Sequence, residues 1–319
     1  FLLTAIGTMA FSFAPNGITM LIARIIMGIG CAAIFSGAFM LITRFYPPDR
    51  LTSVAGSMNS FAMIGMFMAT FPLAYVVTAI GWREAFTLIA IAAFVLSAFA
   101  AIAIRDWPGA PPETETSREH LRQILDGVGQ ALKTRHALKI ASAGISLSTG
   151  SLFLGLWGGP YLNDVHSLTE TERGEVLMFM ALAGVTGHFA FGKLARALNT
   201  LKGIVLFGSG LAAAVMATMA FWIDPSRLVV TLLFGVLGFA CGFPSILLAH
   251  ARAIMPDRLM GRGIAVVNTG IMISIALMQT AVGTIINFKA GPDLTPDAES
   301  YRLAFAFLAV MAAASFLIY

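Results

Sequence analysis

The tetrapeptide Pro48-Asp49-Arg50-Leu51 returns 208 residues later as Pro256-Asp257-Arg258-Leu259. At the same shift Gly30 falls on Gly238, Phe35 on Phe243 and Arg44 on Arg252. Each copy sits at a polar break between long apolar runs, so the repeat relates apolar segments that run in the same direction. Self-similarity at one fixed shift marks a chain built from two like blocks. Parallel blocks related by an axis along the membrane normal are one recognised architecture of membrane transporters.

The composition around this pair is that of a membrane protein. Of 319 residues, 58% are hydrophobic and 11% charged, with mean hydropathy +0.85. Soluble domains carry about 25% charge, so water could not cover a particle with so few. A soluble enzyme, a disordered regulator and a nucleic-acid binder are thereby excluded. The net charge of +4 does not restore the last, because Lys and Arg avoid the apolar stretches. Ten segments are long and apolar enough to span a bilayer, or nearly so: 1–15, 17–43, 51–80, 85–104, 140–162, 176–195, 203–223, 228–250, 263–287 and 302–319. Backbone groups in hydrocarbon must bond within their own segment, so each predicts a helix. The runs are too long for barrel strands of about 9–11 residues. The expected fold is an all-α membrane protein with about ten transmembrane helices.

Loop charge predicts the orientation. Loops 44–50, 105–139, 193–202 and 252–262 hold fourteen of the twenty Lys and Arg, which places them on the cytoplasmic side. The alternate loops collect Asp164, Glu170, Glu172, Glu175, Asp293, Asp297 and Glu299. The longest polar stretch divides the chain into residues 1–104, a linker at 105–139, and residues 140–319. Its basic half, Arg118–Lys139, reads either as an amphipathic helix on the cytoplasmic face or as a solvated linker. The first fifteen residues lack the charged start of a signal peptide. The repeat register therefore predicts spans three to twelve of a twelve-span protein, with an incomplete first six-helix bundle followed by a whole second one.

Particular residues carry a family resemblance. Arg24-Ile25-Ile26-Met27-Gly28-Ile29-Gly30 resembles the fourth-span motif of the major facilitator superfamily, and Phe45-Tyr46-Pro47-Pro48-Asp49-Arg50 the loop that follows it. Gly81-Trp82-Arg83-Glu84-Ala85-Phe86 is similar to that family's start of the sixth span. Gly192-Lys193-Leu194-Ala195-Arg196 resembles a degenerate copy of the loop motif after the eighth span, with Arg196 in the place of Asp. Of the antiporter motif in the fifth span, Phe71-Pro72-Leu73-Ala74-Tyr75-Val76 keeps only the proline. The resemblance implies a fold of two six-helix bundles and a secondary active transporter. It also ties Arg24 to proton coupling or substrate contact.

Arg24 is also singled out by position, as the one formal charge well inside an apolar segment. At a helix centre an Arg costs at least about 2.5–3.5 kcal/mol on insertion scales. It must therefore face a cavity or partner, or else cap carbonyls and snorkel outward. His188 sits mid-span, where it would either titrate near neutral pH or serve as a hydrogen-bonded packing residue. Asn59, Asn268 and Gln279 would bond a solute in a central cavity or bridge helices. Trp157-Gly158-Gly159-Pro160-Tyr161 predicts a break at the end of the seventh span. That makes Trp157 and Tyr161 either substrate-facing aromatics at an outer gate or members of an interfacial belt.

No metal-ligand spacing, P-loop or nucleophile elbow is found, and Cys31 and Cys241 both lie within spans. The sequence thus predicts neither an enzyme nor a resident metal or cofactor. It predicts a monomeric transporter of a small organic solute with protons as the coupling ion, in a bacterial inner membrane. A solute receptor without flux and an uncoupled facilitator are the alternatives.

Overall fold

The computed structural model describes residues 1–32, 68–103, 135–222, 225–254, 260–289 and 296–319, with scattered positions between 34 and 65. Among the described residues there is helix and connecting turn but no strand, and helix lies on each of the ten apolar segments. The chain divides into two compact units, Phe1–Thr116 and Ser117–Tyr319. The basic stretch Arg118–Lys139, read as amphipathic helix or solvated linker, lies outside the described residues, apart from its last five, Arg135–Lys139, which open a long helix.

The first unit contains α1 (Leu2–Ser12), α2 (Gly17–Ala32), α3 (Phe71–Ile80) and α4 (Trp82–Ala103). Small residues bring α1 and α2 together: Ala23 is buried, and a Cβ on Gly30 would lie 2.5 Å from the Thr4 nitrogen. Phe11 joins α1 to α4, its ring 4.9 Å from Phe86 and 6.0 Å from Trp82. Pro72 stands in the first turn of α3, where its missing N–H removes no helical bond. Gly81 separates α3 from α4 with φ +89°, a conformation that suits only glycine. That backbone requirement explains the first residue of the Gly-Trp-Arg motif.

The second unit runs α5 (Arg135–Leu152), a π turn (Phe153–Trp157), α6 (Gly158–Asp164), α7 (Glu170–Ala197), α8 (Lys202–Phe221), α9 (Arg227–Ala240), α10 (Pro244–Ile254), α11 (Met260–Lys289) and α12 (Ala298–Ile318). Helix starts follow local capping chemistry. Thr169 and Glu172 form a capping box on α7, and Asp297 accepts from the Ser300 N–H at 2.8 Å on α12. Arg227, in the first turn of α9, reaches Glu172 at 2.6 Å and Glu175 at 3.3 Å, so the starts of α7 and α9 are tied together.

Two kinds of contact hold the helices where lipid supplies no hydrophobic drive between them. Glycines let backbones touch: a Cβ on Gly187 would overlap the Phe239 carbonyl oxygen, and one on Gly238 the Met180 carbonyl oxygen, at the α7–α9 crossing. Hydroxyls bridge helices: Ser315 donates to the Ser142 carbonyl at 2.8 Å and Ser146 to the Ala312 carbonyl at 3.3 Å, joining α5 to α12. The outward faces are apolar, with Phe221, Phe288 and Leu317 each more than four-fifths exposed. Such a surface needs a hydrocarbon solvent, and this is a multi-pass integral membrane protein.

One element repeats between the units although the 208-residue shift misses it. Arg83, at the start of α4, donates to the Ala14 carbonyl at 3.0 Å, just past the end of α1. Arg302, at the start of α12, donates to the Ala220 carbonyl at 2.9 Å, at the end of α8. In each unit an arginine thus satisfies a carbonyl that the helix end leaves without an internal partner.

Candidate functional site

In the first unit the described site residue is Arg24. Its neighbour Ala23 turns into α1, which leaves the Arg24 side chain exposed, with its guanidinium carbon 5.0 Å from the centre of the Phe11 ring. A cation above a ring face gains about 0.5–1 kcal/mol when exposed. Arg24 has no carboxylate partner among the described residues. Gly17, Gly28 and Cys31 lie on its side of α2, at separations of four and seven residues that return to one helix face. Among the described residues nothing lies within 4 Å of the space a Cβ would take on Gly17 or Gly28, and Cys31 is exposed. The arrangement is a fixed cation on an open face of small residues. Asn59 lies outside the described residues.

The remaining candidates belong to the second unit. His188 on α7 hydrogen-bonds through Nδ1 to the Gly184 carbonyl at 2.8 Å, one turn back along its own helix. A carbonyl only accepts, so Nδ1 carries the proton and Nε2 is left as the acceptor of the neutral ring. On α11, Asn268 and Gln279 are exposed and eleven residues apart. That spacing is about three turns and sets both on one face. Gly283 follows one turn beyond Gln279 and receives the Trp157 ring, whose edge carbon would be 3.3 Å from a Cβ there. The Trp157 indole N–H is buried and has no hydrogen-bond partner among the described residues.

The predicted break at Gly158-Gly159-Pro160 is not found, and the helix runs unbroken from α5 into α6. A π turn takes the place of the break. The Gly158 N–H reaches back five residues to the Phe153 carbonyl, and a Cβ on Gly158 would overlap that oxygen. Widening one turn accommodates Pro160, which has no N–H to give. Tyr161 consequently points into the bundle and is only 4% exposed. Its ring stacks on Phe234 and meets Tyr301 and Phe305 edge-on, and its hydroxyl is 3.1 Å from His166 Nε2.

Sequence reading missed the group beside Tyr161. The buried Tyr301 hydroxyl donates to Asp164 Oδ2 at 2.7 Å, and the Asn163 amide donates to Asp164 Oδ1 at 2.9 Å. The Tyr301 bond latches the end of α6 to the start of α12, and the Asn163 bond holds the carboxylate from within α6. The partners are 137 residues apart and each looks like an ordinary loop or interface residue, so no local pattern could pair them. Tyr301→Phe should destabilise the protein by about 1.5–3 kcal/mol, the range for a hydrogen bond to a charged group. Thermal unfolding of the purified protein in detergent measures it, and an unchanged midpoint would remove the latch from the account of stability.

No group of three or more His, Cys, Asp or Glu among the described residues could hold a metal ion. A family model described as Major Facilitator Superfamily matches residues 1–279. A protein of Cupriavidus necator named "Probable sulfoacetate transporter SauU" is 27% identical over 251 residues, which are 72% of this chain and 58% of that protein. The chain therefore spans less than two thirds of the length of this relative. Among solved structures, a bacterial homologue of the human lysosomal transporter Spinster, inward-facing and unoccupied, superposes with TM-score 0.71 at 18% identity, covering 99% of this chain and 81% of that one. A variant of the nucleoside transporter NupG superposes with TM-score 0.72 at 14% identity, over 99% and 81% of the two chains. At such identities the likeness is one of fold.

Proposed function

The chain belongs to the Major Facilitator Superfamily, and from that premise we propose that it is a secondary active transporter moving a small organic anion by alternating access. The observation that carries the anion is Arg24: an exposed guanidinium within a membrane segment, beside glycines and, among the described residues, without a carboxylate partner. A cation so placed draws an oxyanion and, by its planar fork, favours carboxylates and sulfonates. The likeness to a protein named for sulfoacetate supports the same class. Protons are the proposed coupling ion, with His188 Nε2 as an acceptor able to carry one. Asn268, Gln279 and the unpartnered Trp157 N–H are proposed as neutral solute contacts, and the protein is proposed to work as a monomer in a bacterial inner membrane.

The test is uptake by the full-length protein in proteoliposomes, using labelled sulfoacetate and a panel of short carboxylates and sulfonates. Uptake of at least one anion, accelerated by an imposed pH gradient, is expected. Flux indifferent to pH would replace coupled transport with facilitated diffusion. Saturable binding without flux under any gradient would make the protein a receptor.

A further inference from the structure

The first unit has an open groove of about 520 Å³ at the junction of α1, α3 and α4. Loop charge puts this end of the helices on the outer side of the membrane. Phe13, Ile80 and Leu88 wall the groove and are all exposed, Phe13 at 71%. Arg83 and Glu84 stand at its rim, adjacent in sequence and yet not within ion-pair distance of each other.

The two charges are held differently. Arg83 is fixed by its bond to the Ala14 carbonyl and by the Trp82 ring, 4.4 Å from its guanidinium carbon, which leaves further N–H groups unused. Glu84 has no hydrogen bond or ion pair among the described residues. A soluble anion would meet the carboxylate and a soluble cation the guanidinium, so neither suits the rim. A ligand carrying both charges a few bonds apart suits it, and the apolar walls call for hydrocarbon attached to that ligand.

We propose that this groove binds a phospholipid whose headgroup bears a phosphate and a primary ammonium, with the phosphate on Arg83, the ammonium on Glu84 and acyl carbon along Phe13, Ile80 and Leu88. A primary ammonium can donate hydrogen bonds to the carboxylate, which a quaternary one cannot. The site therefore prefers phosphatidylethanolamine over phosphatidylcholine, and both over phosphatidylglycerol. The proposal does not depend on which solute is carried.

The test reconstitutes full-length protein in vesicles of equal parts phosphatidylethanolamine, phosphatidylcholine and phosphatidylglycerol, and identifies lipids retained on the protein by native mass spectrometry. Phosphatidylethanolamine should be enriched over its bulk share. Glu84→Gln, which keeps the shape and leaves the Arg83 bond untouched, should lower that enrichment about fivefold, as expected for loss of a charge-assisted contact. Phe13→Ala, which alters no charge, should lower it as well. Retention in the bulk ratio, enrichment of phosphatidylglycerol, or undiminished enrichment in Glu84→Gln would each overturn the assignment.

Discussion

Arg24→Ala should reduce anion uptake about 100-fold while leaving the melting temperature of the purified protein unchanged. The size follows from removing a charge-assisted, two-pronged contact to an oxyanion, worth about 2–3 kcal/mol. The unchanged stability follows from exposure: the side chain gives up one ring contact with Phe11 and leaves no carboxylate stranded among the described residues. Arg24→Lys keeps the charge but not the fork and should lose about tenfold. Cys31, on the same face of α2, offers a readout that a merely structural arginine would not move. A methanethiosulfonate bearing a sulfonate should label Cys31 faster than one bearing a quaternary ammonium, and that preference should vanish in Arg24→Ala. Cys241 is less accessible and lies against Thr149, so it should contribute little background. Full uptake by Arg24→Ala would remove the residue from the solute path.

The second large effect is on folding. Gly238→Ala should destabilise the second unit by about 3 kcal/mol, the upper range for overpacking. The added methyl would overlap the Met180 carbonyl oxygen, and a backbone atom cannot step aside as a side chain can. To admit the methyl, α7 and α9 must separate, which also disturbs Gly187 beneath the Phe239 carbonyl. Gly192→Ala on the same α7 meets nothing within 4 Å among the described residues and serves as the control. Thermal melting and the yield of monodisperse protein should fall for the first and hold for the second. Equal behaviour of the two would mean that the α7–α9 crossing is looser than drawn.

The helices were legible because bilayer thickness imposes a length on every apolar run. Arg24 was legible because it breaks an otherwise uncharged segment. The π turn at Phe153–Trp157 was not, since Gly-Gly-Pro marks a backbone that cannot keep its usual ladder without saying how the irregularity is absorbed. A break and one widened turn answer the same local problem, and packing of Tyr161 among Phe234, Tyr301 and Phe305 selects the turn. Gly30 and Gly238, matched by the repeat, both make close crossings, but Gly30 abuts Thr4 of α1 and Gly238 abuts Met180 of α7. A shared residue in a repeat therefore reports that space is tight, not which neighbour makes it so.

The arginines at the starts of α4 and α12 have an implication for how such chains diverge. Each acts on a main-chain oxygen, which every amino acid supplies, so the contact asks nothing of the side chains at positions 14 and 220. Selection can hold Arg83 and Arg302 while their partner positions drift freely, and no paired substitution will record the link. Methods that infer proximity from coordinated change across homologues should therefore overlook an attachment that both halves of the molecule share.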